Sequence, residues 1–428
     1  MAVKARVPKW RRFAGAAVGL SGAAAVVTFL VVALMSHGRH DGSTASPGPA
    51  SDSPTATVPA KLAGLPNITA RNLLSLPAAD AYWGQLAYTI SRKPAAQITV
   101  TGATVASVHI PLSKAEFDAL DAKGQNGGVS IAVDGQNLAL VVWLHLGPAG
   151  DPRTPCWSNV AQPISWRILV AALDASGSPG QLTEFAHGEN AVAFAGPMGG
   201  EGCTATTPPL VSVSDGQMAY LVEDSGQSHP YGSRILVRSL SDGSTLRDVV
   251  TPTHVLSMAL SATNVAWLEA DGNSPTTLQL RVSTAANPTA RNVEVFTTPG
   301  AQMAWSLPTF GLQGNALAWE RYGAGEVWLR DLAADTDRRV SPSGSVCLLG
   351  GIDAATIAMN CGGDSGHLQQ NVSDAPWLVV WSAAIGPRLV VGLPPLQSEA
   401  ISNGWIVITP SRGGNYQTFP VSDLTESP

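Results

Sequence analysis

Four cysteines carry the clearest chemical potential in this sequence: Cys156, Cys203, Cys347 and Cys361. Three disulfide pairings are formally open. Cys347 and Cys361 lie equally far from Ala354, so a hairpin that turns at residues 353–355 would place them opposite each other. This symmetry favours a Cys347–Cys361 bond and leaves Cys156 to pair with Cys203. A zinc site is the alternative, but the Cys-x-x-Cys spacing typical of such sites does not occur.

Two short motifs point to catalysis or phosphate binding, and both fit loops better. Gly363 to Gly366 reads Gly-Asp-Ser-Gly, as around the nucleophilic serine of chymotrypsin-like proteases. No Ala-His-Cys segment accompanies it, and we interpret it as a polar loop. The glycine-rich stretch 196–202 loosely resembles a phosphate loop, but no helical pattern follows it. We interpret it as a flexible insertion.

The histidines and carboxylates show no catalytic or metal-binding spacing. No two of the histidines beyond the first forty residues are three or four positions apart, so we predict neither a metal site nor a cofactor. Glu223, Glu269 and Glu320 each end a similar apolar strand. They lie four, three and two residues after matched alanines, so alternation puts Glu269 on the opposite face and argues against a ring of carboxylates.

Aromatic residues supply the better candidates for binding. Five tryptophans occur in apolar strands and are predicted to pack in the core: Trp143, Trp267, Trp319, Trp377 and Trp381. Other aromatic residues and two histidines occur in polar segments between strands. We predict that these form a recognition surface, and the candidates are Trp157, His229, Tyr231, Tyr322 and His367.

A repeat must position these residues. A short apolar strand with a small central residue recurs seven times, and its first apolar residues are Leu86, Leu138, Met218, Val265, Leu317, Ile357 and Trp405. Around each copy the pattern predicts four antiparallel strands, with Asp215-Gly216 supplying one of the tight turns. Stacking such units around an axis buries both faces of each sheet. The sequence therefore predicts an all-β, seven-bladed β-propeller, with six blades as the alternative.

Two features complete this prediction. The last repeat is too short for its outer strand, so we expect residues 68–74 to supply it and close the ring. The segment from Ser113 to Lys123 has a helical pattern and is interpreted as a helix within a loop.

The repeat resembles the TolB-type and WD-repeat-like propellers of bacterial envelope proteins. The similarity rests on the strands Val265-Ala266-Trp267 and Leu317-Ala318-Trp319, and on the segment Trp328 to Leu332. It covers roughly residues 66–424 and implies the fold rather than one function. Members include binding subunits of envelope complexes, sensor modules and the propeller halves of prolyl peptidases, but no α/β-hydrolase pattern follows the last repeat here.

Composition and charge limit the partners. Charged residues make up 13% of the 428 residues, whereas 43 glycines and 31 prolines favour many turns. The formal net charge of −6 argues against binding nucleic acid, which requires a basic patch.

The N-terminal region predicts attachment to a membrane. Residues 13–35 form an uncharged apolar stretch long enough to cross a bilayer, and basic residues precede it, which places the N-terminus in the cytoplasm. A cleaved signal peptide is the alternative. We therefore predict a cytoplasmic tail (1–12), a transmembrane helix (13–35), a disordered Ser/Pro-rich linker (36–65) and an extracytoplasmic propeller (66–424) at the bacterial cell membrane.

These observations favour a non-enzymatic binding or sensing module for a protein or glycan partner. A hydrolase or lyase that uses polar residues of the propeller channel is one alternative. A structural subunit of an envelope complex is another.

Overall fold

The computed structural model describes most of the chain from residue 58 onwards. The described ranges are 58–70, 74–76, 81–83, 86–91, 97–101, 105–116, 127–134, 136–146, 164–174, 179–189, 193–195, 204–206, 208–223, 232–251, 253–271, 274–285, 287–297, 308–321, 324–353, 355–362, 377–393, 396–402, 404–410 and 416–426. Among these residues no helix has the length and apolar character needed to cross a bilayer. The predicted transmembrane helix, residues 13–35, lies outside the described residues.

The described chain is built almost entirely of β-strands. It begins with α1 (Ala60–Ala63), β1 (Asn67–Ala70) and β2 (Leu74–Leu76). The first sheet contains β3 (Ala81–Trp83), β4 (Leu86–Ser91), β5 (Gln97–Thr101) and β6 (Val105–His109). The second contains β7 (Gly127–Val133), β8 (Asn137–His145), β9 (Ile164–Ala172) and β10 (Thr183–Glu189). A two-stranded sheet follows, made of β11 (Ala193–Ala195) and β12 (Thr204–Thr206).

The third to fifth sheets repeat the four-stranded pattern. The third contains β13 (Val211–Ser214), β14 (Gln217–Glu223), β15 (Ser233–Ser239) and β16 (Thr245–Thr251). The fourth contains β17 (His254–Leu260), β18 (Asn264–Asp271), β19 (Ser274–Thr284) and β20 (Arg291–Thr297). The fifth contains β21 (Phe310–Gln313), β22 (Ala316–Arg321), β23 (Glu326–Asp331) and β24 (Thr336–Arg339).

The last two sheets include both ends of the described chain. The sixth contains β25 (Val346–Asp353), β26 (Thr356–Gly362), β27 (Trp377–Ser382) and β28 (Gly386–Val391). The seventh contains β29 (Leu396–Ser402), β30 (Trp405–Pro410) and β31 (Tyr416–Pro420). A 3-10 turn (Val421–Asp423) leads to β32 (Leu424–Glu426).

Neighbouring strands within each of these units pair antiparallel in chain order. All seven predicted apolar repeats fall in the second strand of their sheet, from Leu86 in β4 to Trp405 in β30. Because side chains alternate along a strand, the second strand of the third to sixth sheets buries one row against the preceding sheet and the other against the following sheet. Trp267 packs with residues of the third sheet, whereas its neighbour Ala266 packs with residues of the fifth. The all-β fold is confirmed, with the stacked four-stranded sheets of a propeller.

Closure differs from the prediction that residues 68–74 supply the last outer strand. The strand that pairs with β31 is β2, shifted towards Leu76. Ile68 instead belongs to β1, which pairs in parallel with β28 and antiparallel with β32, so the sixth sheet has six strands. The two ends of the described chain therefore meet on the sixth sheet.

The predicted disulfide is present in the sixth sheet. Cys347 and Cys361 are bonded, face each other across β25 and β26, and are fully buried. The turn differs from the predicted three-residue turn, because Asp353 pairs with Thr356 and an irregularity between Leu349 and Gly351 restores the register of the cysteines. The predicted partners Cys156 and Cys203 lie outside the described residues.

The predicted Asp215-Gly216 turn is confirmed, and the predicted loop helix is described only in its first turn, up to Glu116. Asp215 and Gly216 both have positive φ angles, 51° and 72°, as a tight type I′ hairpin turn requires. The predicted loop helix starts with a reciprocal cap, in which the Ser113 N–H donates to Glu116 and the Glu116 N–H donates to Ser113 Oγ. Arg167 of β9 forms an ion pair with Glu116 and so ties this helical turn to the second sheet.

Candidate recognition face

The five predicted binding residues lie outside the described residues, but the strands on either side of them are described. Each candidate falls between the second and third strands of a sheet. Trp157 comes between β8 and β9, His229 and Tyr231 between β14 and β15, Tyr322 between β22 and β23, and His367 between β26 and β27. In stacked antiparallel sheets these strand ends share one edge, which we call the recognition face. The first hairpin turns lie at the opposite edge, which we call the turn face.

Side chains on the turn face connect each sheet to the next. Gln217 Nε2 of the third sheet donates to the carbonyl of Ala262 in the fourth at 2.9 Å. Asn264 Nδ2 of the fourth sheet donates to the carbonyl of Gly314 in the fifth at 2.7 Å, and Ser261 Oγ donates to the same carbonyl at 2.8 Å.

The series continues to the seventh sheet. Gln313 of the fifth sheet donates to Asp353 Oδ1 of the sixth at 2.8 Å and accepts from the Ala355 N–H. The other carboxylate oxygen of Asp353 accepts from the Gly404 N–H of the seventh sheet. The turn face is therefore tied together by hydrogen bonds from the third sheet to the seventh.

Near the recognition face, the second sheet carries a cluster of rings. Trp143 and Trp166 oppose each other on β8 and β9, and the His145 ring lies edge-on to Trp143 at 5.3 Å. Burial lowers the pKa of His145 and so favours its neutral imidazole. Gly188 leaves the space that Trp166 occupies, because a Cβ at Gly188 would come within 2.6 Å of the indole. The two indole N–H groups have no hydrogen-bond partner among the described residues.

In the fourth sheet, a buried carboxylate near the same face is fully paired. Glu269 is 1% exposed, accepts from Trp267 Nε1 at 2.7 Å and pairs with Arg281 at 2.9 Å. The Arg281 guanidinium also lies over the Trp267 ring, 5.9 Å from its centroid. These contacts satisfy the charge, so the arrangement holds the sheet together rather than presenting a reactive group.

The fifth sheet places its carboxylate differently. Glu320 is buried on the face of β22 that contacts the sixth sheet, where the backbone N–H of Leu349 donates to it. Burial raises the pKa of Glu320 to about 8, and the Leu349 hydrogen bond offsets only part of that rise. Glu269 and Glu320 thus point into different sheet interfaces, as the alternation predicted.

A half-buried charge network surrounds the end of β22. Arg321 pairs with Glu294 of the fourth sheet at 3.1 Å and lies 4.3 Å from the centroid of the Trp328 ring. Trp328 Nε1 and Arg339 both donate to Glu326. Each guanidinium has a carboxylate partner, so this network is electrically balanced. Arg321, one member of this network, immediately precedes Tyr322 in the chain.

Other predictions from sequence can be placed as well. Trp143, Trp267, Trp319 and Trp381 are buried as expected, and Trp377 is half-buried. Within the described ranges, no three of the His, Cys, Asp and Glu side chains come together in a way that could hold a metal ion. The motifs at 196–202 and 363–366 lie outside those ranges.

Sequence reasoning missed the polar groups that matter most for packing. Neither the burial of Glu320 nor the role of Asp353 was predicted. The available signal was the alignment of the two repeats, since Glu320 occupies the position of the buried Leu268.

Comparison with known proteins gives similarity in fold only. No family model matches the chain, and no curated protein matches it. Among solved structures, the chain is similar to BamB from Moraxella catarrhalis, with 12% identity, 82% of this chain and 99% of that chain covered, and a TM-score of 0.34. It is also similar to the β-propeller domain of the trilobed protease from Pyrococcus furiosus, with 10% identity, coverage of 66% and 79%, and a TM-score of 0.37.

A third similar structure is the mitotic checkpoint complex, with 11% identity, coverage of 88% and 98%, and a TM-score of 0.42. The expected resemblance to TolB-type and WD-repeat-like propellers is confirmed at the level of the fold.

Proposed function

We propose that the chain is a membrane-anchored, seven-bladed β-propeller that binds a protein or glycan partner outside the bacterial cell membrane. The observation that carries this proposal is the series of hydrogen bonds that links successive sheets along the turn face. This series begins at Gln217 in the third sheet and ends at Gly404 in the seventh, and it holds the sheets together at the turn face. The loops between second and third strands lie at the opposite face, and we assign recognition of the partner to them.

The chemistry of the predicted contact residues supports a partner-binding role. Trp157, Tyr231 and Tyr322 combine large apolar area with a polar group, and His229 and His367 add hydrogen-bonding capacity. Such residues contribute strongly to the free energy of binding when a partner desolvates them.

The anchor and the compartment rest on the N-terminal sequence. Residues 13–35 are long and apolar enough for one membrane crossing, and the preceding basic residues favour a cytoplasmic N-terminus. The Cys347–Cys361 disulfide supports an oxidising compartment for the propeller.

Affinity capture tests the proposed binding face. The full chain is expressed in its native envelope, cross-linked and purified, and its partners are quantified by mass spectrometry. We expect the Trp157→Ala, Tyr231→Ala and Tyr322→Ala variants to lose at least tenfold of the captured partner, because a central aromatic contact contributes about 2 kcal/mol. Their melting temperatures should fall by no more than a few degrees.

Leu246→Ala is the matched control, because Leu246 is 48% exposed on the outer strand β16, at the turn-face end of the third sheet. It should leave capture unchanged. Equal capture by the aromatic variants and the wild type would place the site elsewhere, and unfolding of those variants would show that the rings are core residues. In the same cells, added protease should release a fragment that begins within residues 36–60. Mature protein recovered in the medium would instead indicate a cleaved signal peptide.

A further inference from the structure

The Glu320 side chain faces an apolar contact between the fifth and sixth sheets. Its cross-strand neighbour on β23 is Val327, and Leu349 faces it from β25. The rest of this interface is built from buried apolar residues and the disulfide, including Ala318, Leu329, Cys347, Met359 and Cys361. A carboxylate in such surroundings loses its hydration and gains little in return.

The charged groups on the neighbouring strands are engaged elsewhere. On β24, Arg338 lies over the Trp381 ring at 4.5 Å. On β25, Asp353 is held at the turn face by Gln313. On β23, Asp331 caps the turn that follows its own strand, and Arg330 pairs with Asp337.

Of the other elements that pack here, β28 carries Arg388 opposite Val380, on the side that contacts the seventh sheet, and α1 carries Lys61, which is exposed. Arg321 follows Glu320 directly, but alternation turns it to the opposite face, where it meets Glu294. The described parts of β21 and β26 carry no Lys, Arg, His, Asp or Glu. Among the described residues, therefore, Glu320 has no salt-bridge partner.

The sixth sheet is also where the ends of the described chain attach. Leu62 of α1 is fully buried in the same apolar cluster as Leu349, and β1 extends the sheet beyond β28. Any loosening of the contact between the fifth and sixth sheets therefore acts on the sheet that holds the segment leading from residue 58 into the propeller.

We propose that the contact between the fifth and sixth sheets is a pH-sensitive joint, closed while the Glu320 carboxyl is protonated and loosened when it ionises. Glu320 is 9% exposed, so an ionised carboxylate at this position gains fuller hydration when β22 and β25 separate. Since the pKa of Glu320 is raised to about 8, the joint is closed at neutral pH and opens in mildly alkaline conditions.

Hydrogen exchange of the full chain in mild detergent tests this joint. Protection factors, corrected for the intrinsic effect of pH on exchange, are measured at pH 6.5, 8 and 9.5. We expect protection in residues 316–321 and 346–353 to fall at least tenfold between pH 6.5 and 9.5. Residues 254–271 of the fourth sheet provide the internal control and should keep their protection over the same range.

Glu320→Gln keeps the size and hydrogen bonding of the side chain but cannot ionise, so its protection should not change with pH. Glu320→Leu, which reproduces the residue found in the fourth sheet, should behave in the same way. If both variants fail to fold, the infrared carbonyl band of the protonated acid in the wild type, assigned by isotope labelling of glutamate, provides a second measurement. Three results would each overturn the proposal. They are protection of residues 316–321 and 346–353 that does not change with pH in the wild type, an equal loss of protection in Glu320→Gln, and absence of the carbonyl band at pH 6.5.

Discussion

The fourth and fifth sheets contain nearly the same strand but treat its carboxylate in opposite ways. Aligned on Ala-Trp, the fourth sheet continues with Leu268-Glu269 and the fifth with Glu320-Arg321. Glu269 therefore shares a face with Trp267 and pairs with both the indole and Arg281. Glu320 instead takes the place of a buried leucine. Moving the glutamate by one residue along the strand thus replaces a buried ion pair by a buried acid that has no charged partner among the described residues.

The residues around the two carboxylates also differ between the sheets. Arg321 occupies the position of Glu269, and Trp328 occupies that of Arg281, opposite the tryptophan of the second strand. Consequently Trp319 Nε1 has no hydrogen-bond partner among the described residues, whereas Trp267 Nε1 donates to Glu269. The strand pairing beside the tryptophan is the same in the two sheets, whereas the charged groups around it differ.

The largest expected difference between the two sheets is in the pH dependence of stability. The pKa of Glu320 is about 8 in the folded protein, above the ordinary value of 4.5 that applies to the unfolded chain. Between these values the unfolded chain loses the proton and the folded protein keeps it, so this group lowers stability as pH rises, and above about 8 its contribution is constant. Compared with Glu320→Gln, the wild type should lose on the order of 4 kcal/mol of unfolding free energy between pH 5 and 8.

Urea denaturation of both proteins at several pH values measures this difference. The free energies are compared at each pH, so that other titrating groups cancel. If the free energy of unfolding depends on pH in the same way in the wild type and in Glu320→Gln, the pKa of Glu320 is not raised in the folded protein and the prediction is wrong.

The next effect concerns the paired carboxylate of the fourth sheet. Arg281→Met removes the cation but keeps most of the side-chain volume, and it leaves Glu269 buried without its charge partner. We expect a loss of about 3 kcal/mol in the free energy of unfolding. Arg291→Met is the control, because Arg291 pairs with Asp335 at the surface and such pairs contribute less than about 1 kcal/mol. Equal losses in the two variants would contradict the comparison.

The smallest effect isolates the indole hydrogen bond. Trp267→Phe and Trp319→Phe both replace a buried indole by a smaller phenyl ring at equivalent positions. Only Trp267→Phe removes a hydrogen bond to a carboxylate, the one that Trp267 Nε1 donates to Glu269. Trp267→Phe should therefore be less stable than Trp319→Phe by about 1–2 kcal/mol. Thermal and urea unfolding of the two variants under identical conditions measure this difference, and equal stabilities would indicate that the Trp267–Glu269 bond contributes nothing.

Much of the fold was predictable from the residues because period-two alternation reports burial directly. The seven second strands, the Asp215-Gly216 turn and the cap at Ser113 each follow from contacts between near neighbours in the chain. Closure was predicted less well: Leu74–Leu76 pairs with β31, whereas Ile68 pairs with β28. Three-residue strands carry too little pattern to specify which distant edge they join.

The sequence by itself determined what depends on alternation and short range. It specified the strand repeat, the burial of Trp143, Trp267, Trp319 and Trp381, and the opposition of Cys347 and Cys361, even though a two-residue turn and an irregularity replaced the predicted turn. Only the tertiary structure decided which sheet lies against each row of side chains. The isolation of Glu320, the hydrogen bonds of Asp353 and the meeting of β1 with β32 all join residues that are distant in the chain. Their energies depend on burial and on partners from other sheets, and no local pattern encodes these.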